Sequence, residues 1–191
     1  MPRSKVYDRE EVLRNAVDVF WQKGYKACSV ADLVHSTGLN TASMYKEFGD
    51  KDGLFVASLE YYRQHILANR LDALAENPNL QGIESFLQSV INGAVKKTYR
   101  GCLMMNHLSQ IHTIAPEAAK KLDQFRQSLE RLLARAIANA QKAGDIQSQK
   151  DPEELASYLA CFVHGLVLYG RHPKGKKAIP ALRDSILRAL N

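Results

Sequence analysis

The chain has 191 residues, 46% of them apolar and 24% charged, and a formal net charge of +6. That suits one large domain, or a small domain joined to a medium one, with enough apolar residues for a core. No apolar run approaches the roughly 18 residues of a membrane span, and Met1-Pro2-Arg3-Ser4-Lys5, followed by Asp8, Arg9, Glu10 and Glu11, lacks the apolar centre of a secretory signal. A cytoplasmic protein without membrane attachment is therefore expected. Cys28, Cys102 and Cys161 are an odd number without paired spacing, which argues for reduced thiols rather than a disulfide framework. The positive net charge permits a nucleic-acid partner. Yet residues 1–55 hold eight Lys and Arg against eight Asp and Glu. If DNA binds there, the basic groups must share one face and the acidic groups another.

Period-3.6 patterning runs throughout, with Gly and Pro between the periodic stretches and no convincing strand. An all-α fold of about nine helices is expected. The first helix should cover Arg9 to Lys23, capped by Asp8 with Glu11 completing a capping box, and ended by Gly24. Ser29 should cap a short second helix stopped by Gly38, with Asp32 at the acidic capping-box position. Asn40 should cap a third, from Thr41 to Glu47. A long fourth helix should run from Lys51 to about Ala75, ended by Asn77-Pro78-Asn79. Further helices are expected over Gly82–Thr98, just after Gly101, over Pro116–Ala143, over Pro152–Tyr169 and over Ile179–Leu190. His172-Pro173-Lys174-Gly175 should be a loop.

The second and third helices, joined by a glycine-containing turn, have the form of a helix-turn-helix. A helix that enters the major groove must present small or polar side chains. Thr41 and Ser43 offer hydroxyls to base edges, the Ala42 methyl can meet a thymine methyl, and Tyr45 and Lys46 can reach phosphates. Leu33, Val34, Leu39, Met44 and Phe48 would fix the crossing. The same pattern also fits a plain helical corner.

The stretch Arg9–Phe55 resembles the TetR-family DNA-binding domain. The resemblance rests on Phe20-Trp21-Gln22-Lys23-Gly24-Tyr25, Ser29-Val30-Ala31-Asp32-Leu33, Gly38-Leu39-Asn40, Met44-Tyr45-Lys46-Glu47-Phe48 and Asp50-Lys51-Asp52-Gly53-Leu54. Cys28, Asn40 and Glu47 depart from the family's usual residues. The resemblance implies that Tyr45 and Lys51 contact phosphates, helped by the positive end of the fourth helix. It implies that Thr41, Ala42 and Ser43 face bases, that Asn40 and Lys46 belong to the same DNA-binding set, and that Ser29 caps its helix and touches a phosphate. It further implies a three-helix DNA-binding domain over 1–55 and a helical effector-binding and dimerisation domain over 56–191. The partners would be a palindromic double-stranded operator, an unidentified small-molecule or electrophilic effector, and a second copy of the chain packed through the last two helices. Leu155, Leu159, Phe162, Val163, Leu166, Val167 and Tyr169 crowd one of those helices, and Leu182, Ile186, Leu187 and Leu190 line the other. An intrachain core is the alternative use of these faces.

Cys102 follows Gly101 at an expected helix start near Lys96, Lys97 and Arg100, a setting that activates a thiol; a packed, inert cysteine is the alternative. Met105 and His107, with Phe86 and Phe125, would join it around an effector cavity, although the same residues also suit plain core. Cys161, inside an apolar helix, should be structural. The spacing of His107 and His112 does not suit a shared metal, and no cofactor is expected. No phosphate-binding loop, dinucleotide-binding glycine motif or nucleophile elbow is found, so the chain is not expected to be an enzyme. The expected function is a DNA-binding regulator released from its operator by an effector or by modification of a cysteine. A helical interaction module that never meets DNA, and an activator in place of a repressor, are the alternatives.

Overall fold

Side-chain caps set where the helices begin. The computed structural model describes residues 7–191; the basic Met1–Lys5 stretch lies outside the described residues. Asp8 accepts from the Glu10 amide at 2.9 Å and starts α1, Arg9–Ala27. The capping box expected there does not form: Asp8 takes the Glu10 amide, and Glu11 lies 3.7 Å from Arg14. Gly24 (φ 76°, ψ 166°) breaks the helical path, and a last turn follows it. Ser29 and Asp32 do form a reciprocal capping box at α2, Val30–Thr37. Gly38, at φ 71°, ends α2 in the left-handed region that a side chain would strain. Asn40 accepts from the Ser43 amide at 2.8 Å and starts α3, Thr41–Phe48.

The expected fourth helix is α4, Lys51–Tyr62, a π-helical turn over Arg63–Leu67, and α5, Ala68–Glu76. Then come α6 (Leu80–Ala94), α7 (Leu103–Leu108), α8 (Pro116–Ala143) and α9 (Pro152–Tyr169). His172–Gly175 is not simply a loop. The His172 Nδ1 accepts from the Lys174 amide and Pro173 takes the first helical position, opening α10, Pro173–Ala178. A 3-10 turn leads to α11, Leu182–Arg188. The described residues contain no strand, and no helix among them is long and apolar enough to cross a membrane.

The chain divides into two compact units. The first holds residues 7–66 and 107–123, the second 67–106 and 124–191. In the first, α1 packs on α4 and α2 around Val12, Leu13, Ala16 and Phe20, with Leu33, Leu54, Phe55 and Leu59, all 4% exposed or less. The Phe20 and Phe55 rings meet at 4.8 Å and 57°, a tilted pair that adds about 1 kcal/mol to its area burial. In the second, α6 packs on α5, α9 and α11. Its core includes Ile83, Leu87, Leu129, Leu133, Leu159 and Val163.

Candidate nucleic-acid interface

Met44 carries the packing side of α3 and is fully buried. The opposite side is open. Asn40, Thr41, Ala42, Tyr45 and Lys46 are exposed, Ser43 is half-buried, and Tyr45 is 45% exposed. Of the residues expected to meet DNA, Asn40 and Ser29 also serve as caps. The Ser29 hydroxyl accepts the Asp32 amide at 3.1 Å, so its role in building α2 is direct.

The balanced charge of this segment resolves in the structure. Its acids are engaged in folding. Glu47 accepts from the Tyr7 hydroxyl at 2.9 Å and from Arg9 Nε at 3.1 Å. Asp32 receives Lys23 Nζ at 2.6 Å and the Ser29 amide, which hold its carboxyl well below the usual carboxylate range. Asp50 caps α4 through the Gly53 amide at 2.8 Å. Asp52 accepts from the Tyr25 hydroxyl, and burial, then Asp52, pushes that phenol upward. Lys46 and Lys51 make no ion pair among the described residues. The Lys51 ammonium lies 4.4 Å from the centre of the Tyr25 ring, held by the ring's negative face. The surface around α3 thus presents hydroxyls, an amide and uncompensated cations. That is the donor set that phosphates and base edges accept from. At the start of α4 the Asp50 carboxylate takes one first-turn amide, that of Gly53.

The expected effector residues separate. Phe86, Cys102, Met105 and Phe125 line one cavity of about 40 Å3 in the second unit, together with Arg70, Tyr99 and several aliphatic side chains. His107 does not line it. It is buried in the first unit, its ring 5.0 Å from that of Phe55. Cys102 is only 7% exposed, so a reagent must enter the cavity to reach its thiol. Cys28 is buried and its thiol is pushed up to about 11 by burial. Cys161 is exposed, contrary to the structural role expected for it. No group of three metal-donor side chains occurs among the described residues. Sequence reasoning missed Tyr25, Arg70 and Tyr99. Only the position of Tyr25 beside Gly24 hinted at a role.

The pattern of the family described as bacterial regulatory proteins, tetR family, matches residues 12–58, and that of the tetracyclin repressor-like C-terminal domain matches residues 80–186. The HTH-type transcriptional repressor ComR of Escherichia coli is 30% identical over 189 residues, covering 97% of this chain and 90% of ComR. An uncharacterized HTH-type regulator of Bacillus subtilis, YezE, is 27% identical over 83% of this chain and 84% of its own. A cysteine mutant of the TetR family transcriptional regulator CifR, complexed with 26-bp double-strand operator DNA, superposes with a TM-score of 0.83 at 29% identity, over 98% of this chain and 99% of that one. The chain belongs to the TetR family and is a DNA-binding transcriptional regulator of that type.

Proposed function

We propose that the protein is a repressor that occupies an inverted-repeat operator as a homodimer and leaves it when the second unit meets an effector. Residues 1–55 form the DNA-binding domain and 56–191 the effector and dimerisation domain. Thr41, Ala42 and Ser43 read bases with Asn40 and Lys46 beside them, while Tyr45, Lys51 and Ser29 hold phosphates. The observation that carries this reading is the open polar side of α3 flanked by Lys46 and Lys51 without carboxylate partners. ComR is named a repressor and CifR is described on operator DNA, which supports it.

Dimerisation is argued from the exposed apolar face of α9. Tyr158, Phe162 and Tyr169 recur at helical spacing with Leu168 beside them, and Leu182 of α11 adds to the patch. Phe162, Tyr169 and Leu182 border an open apolar hollow of about 420 Å3. A patch of this kind is covered in solution, and a two-fold partner suits a symmetric operator. Release proceeds through the Cys102 cavity, by a bound small molecule or by modification of the thiol. The effector shifts the protein between states only by its difference in affinity for them. Such a regulator works in the cytoplasm.

Selection of bound DNA from a random pool tests the reading. An enriched inverted repeat is the expected result. The absence of any enriched sequence overturns it.

A further inference from the structure

Arg70, on α5, is a half-buried cation on the wall of the apolar cavity, and no ion pair or hydrogen bond engages it among the described residues. Two other partly buried arginines of the second unit are compensated. Arg126 meets Glu130 at 2.8 Å, and Arg183 approaches Glu84 at 3.7 Å. The Arg70 guanidinium lies against the Gly93 backbone, where an added Cβ would stand 3.2 Å from Nη2. Tyr99 borders the same end of the cavity, its ring close against Gly170.

The charges acting on the Tyr99 phenol are the guanidinium groups of Arg70 and Arg171 and the thiol of Cys102, with no carboxylate among them. Burial pushes that phenol up to about 12, so near neutral pH it keeps its proton and can donate it. One end of the cavity therefore offers a guanidinium fork and a phenolic donor without an anion, and the rest offers Phe86, Val90, Met105 and Phe125. A half-buried guanidinium with no carboxylate partner keeps its donor fork open to a bound anion.

We propose that this cavity binds a small organic monocarboxylate. The carboxylate takes the Arg70 fork, in the bidentate geometry that guanidinium favours, and accepts the Tyr99 proton. The apolar body lies among Phe86, Val90 and Phe125. A space of about 40 Å3 admits only a few heavy atoms as it stands. The ligand is accordingly a short-chain or single-ring acid, with the flexible Met105 yielding room. The inference rests on the reading of this cavity as the effector site.

Calorimetric titration of the full-length protein with butyrate and benzoate, and with butyramide and benzamide as uncharged isosteres, tests it. At least one acid should bind, its amide should bind at least about tenfold more weakly, and Arg70→Met should weaken the acid by at least about tenfold while Arg70→Lys keeps part of the affinity. Tyr99→Phe should weaken the acid alone, which keeps the test decisive if Arg70→Met does not fold. Equal binding of acid and amide, unchanged affinity in both the Arg70→Met and Tyr99→Phe proteins, or no binding by either acid overturns the proposal. Operator binding followed in parallel separates the two claims. Acid binding without operator release upholds the ligand class and refutes the release mechanism. Release by an amide and not by its acid overturns the ligand class and leaves the effector reading intact.

Discussion

The Lys51 ammonium sits 4.4 Å above the ring of Tyr25, whose hydroxyl is bound by Asp52. The ring fixes a long, flexible cation without neutralising it, and Asp52 fixes the ring. A carboxylate partner would have cancelled the charge that a phosphate needs. An aromatic face holds it and leaves hydrogen-bonding capacity free.

Lys51→Met is accordingly expected to weaken DNA binding uniformly across sequences and to lower the salt slope by about 1 for each copy bound. Tyr25→Leu, which removes the platform but keeps the charge, should weaken binding by only about two- to fivefold, the worth of an exposed cation–π contact. Fluorescence anisotropy across a salt series distinguishes the two variants. An unchanged slope in Lys51→Met would remove Lys51 from the interface.

The junction of α3 and α4 leaves no room at Gly53, where a Cβ would overlap the Phe48 carbonyl. Gly53→Ala must displace backbone. It should lower thermal stability and reduce DNA binding more than any single α3 surface substitution. Melting curves and anisotropy check it together, and a variant with native stability and affinity contradicts it.

Ser29→Ala removes the hydroxyl half of the α2 capping box and should cost about 1 kcal/mol in denaturant unfolding. The pH dependence follows from Asp32. Lys23, foremost, and Ser29 depress its folded-state pKa. Its contribution is therefore complete above the ordinary carboxylate range, near 4, and is lost as pH falls through the lower folded-state value. Asp32→Asn should flatten the acid limb of the stability profile. An acid limb identical to that of the parent would show that Asp32 plays no part in it.

The exposed face of α9 predicts a dimer that Phe162→Asp should dissociate, because a charge would be buried against the partner's apolar face. Sedimentation should then show a monomer with much weakened operator binding. Thiol titration offers a second check. Cys28, buried and with its thiol pushed up to about 11, should stay unreactive near neutral pH in the folded protein. Cys161, exposed in the single chain, should react faster in the Phe162→Asp protein than in the parent. Equal rates would place Cys161 outside the dimer face.

Local signals were legible where one residue decided the outcome. Ser29, Asn40 and Gly38 bound α2 and α3 as their capping chemistry predicts, and Pro116 and Pro152 open α8 and α9 as expected. Signals that depend on tertiary placement were not legible. His107 shares a short helix with Met105 but turns towards Phe55, since two residues along a helix rotate a side chain to a different face. The sequence carries no mark of the π-turn at Arg63–Leu67, where the period-3.6 pattern continues without a breaker. Glu47 reads as an unpaired acid within α3 until Tyr7 and Arg9 are seen to hold it. The lone positive charge of Arg70 in an apolar cavity is invisible until α5 and α6 are packed together.

The most direct measurement of the central claim is DNA selection repeated with Thr41→Ala and Ser43→Ala proteins beside the parent. If α3 reads bases in a two-fold complex, preferences should relax at matched positions in both half-sites, with centres about 34–36 Å apart, at a cost of about 1–3 kcal/mol for each lost contact. Identical enriched sequences from all three proteins, or changes confined to one side of the site, would contradict the placement of α3 in the groove.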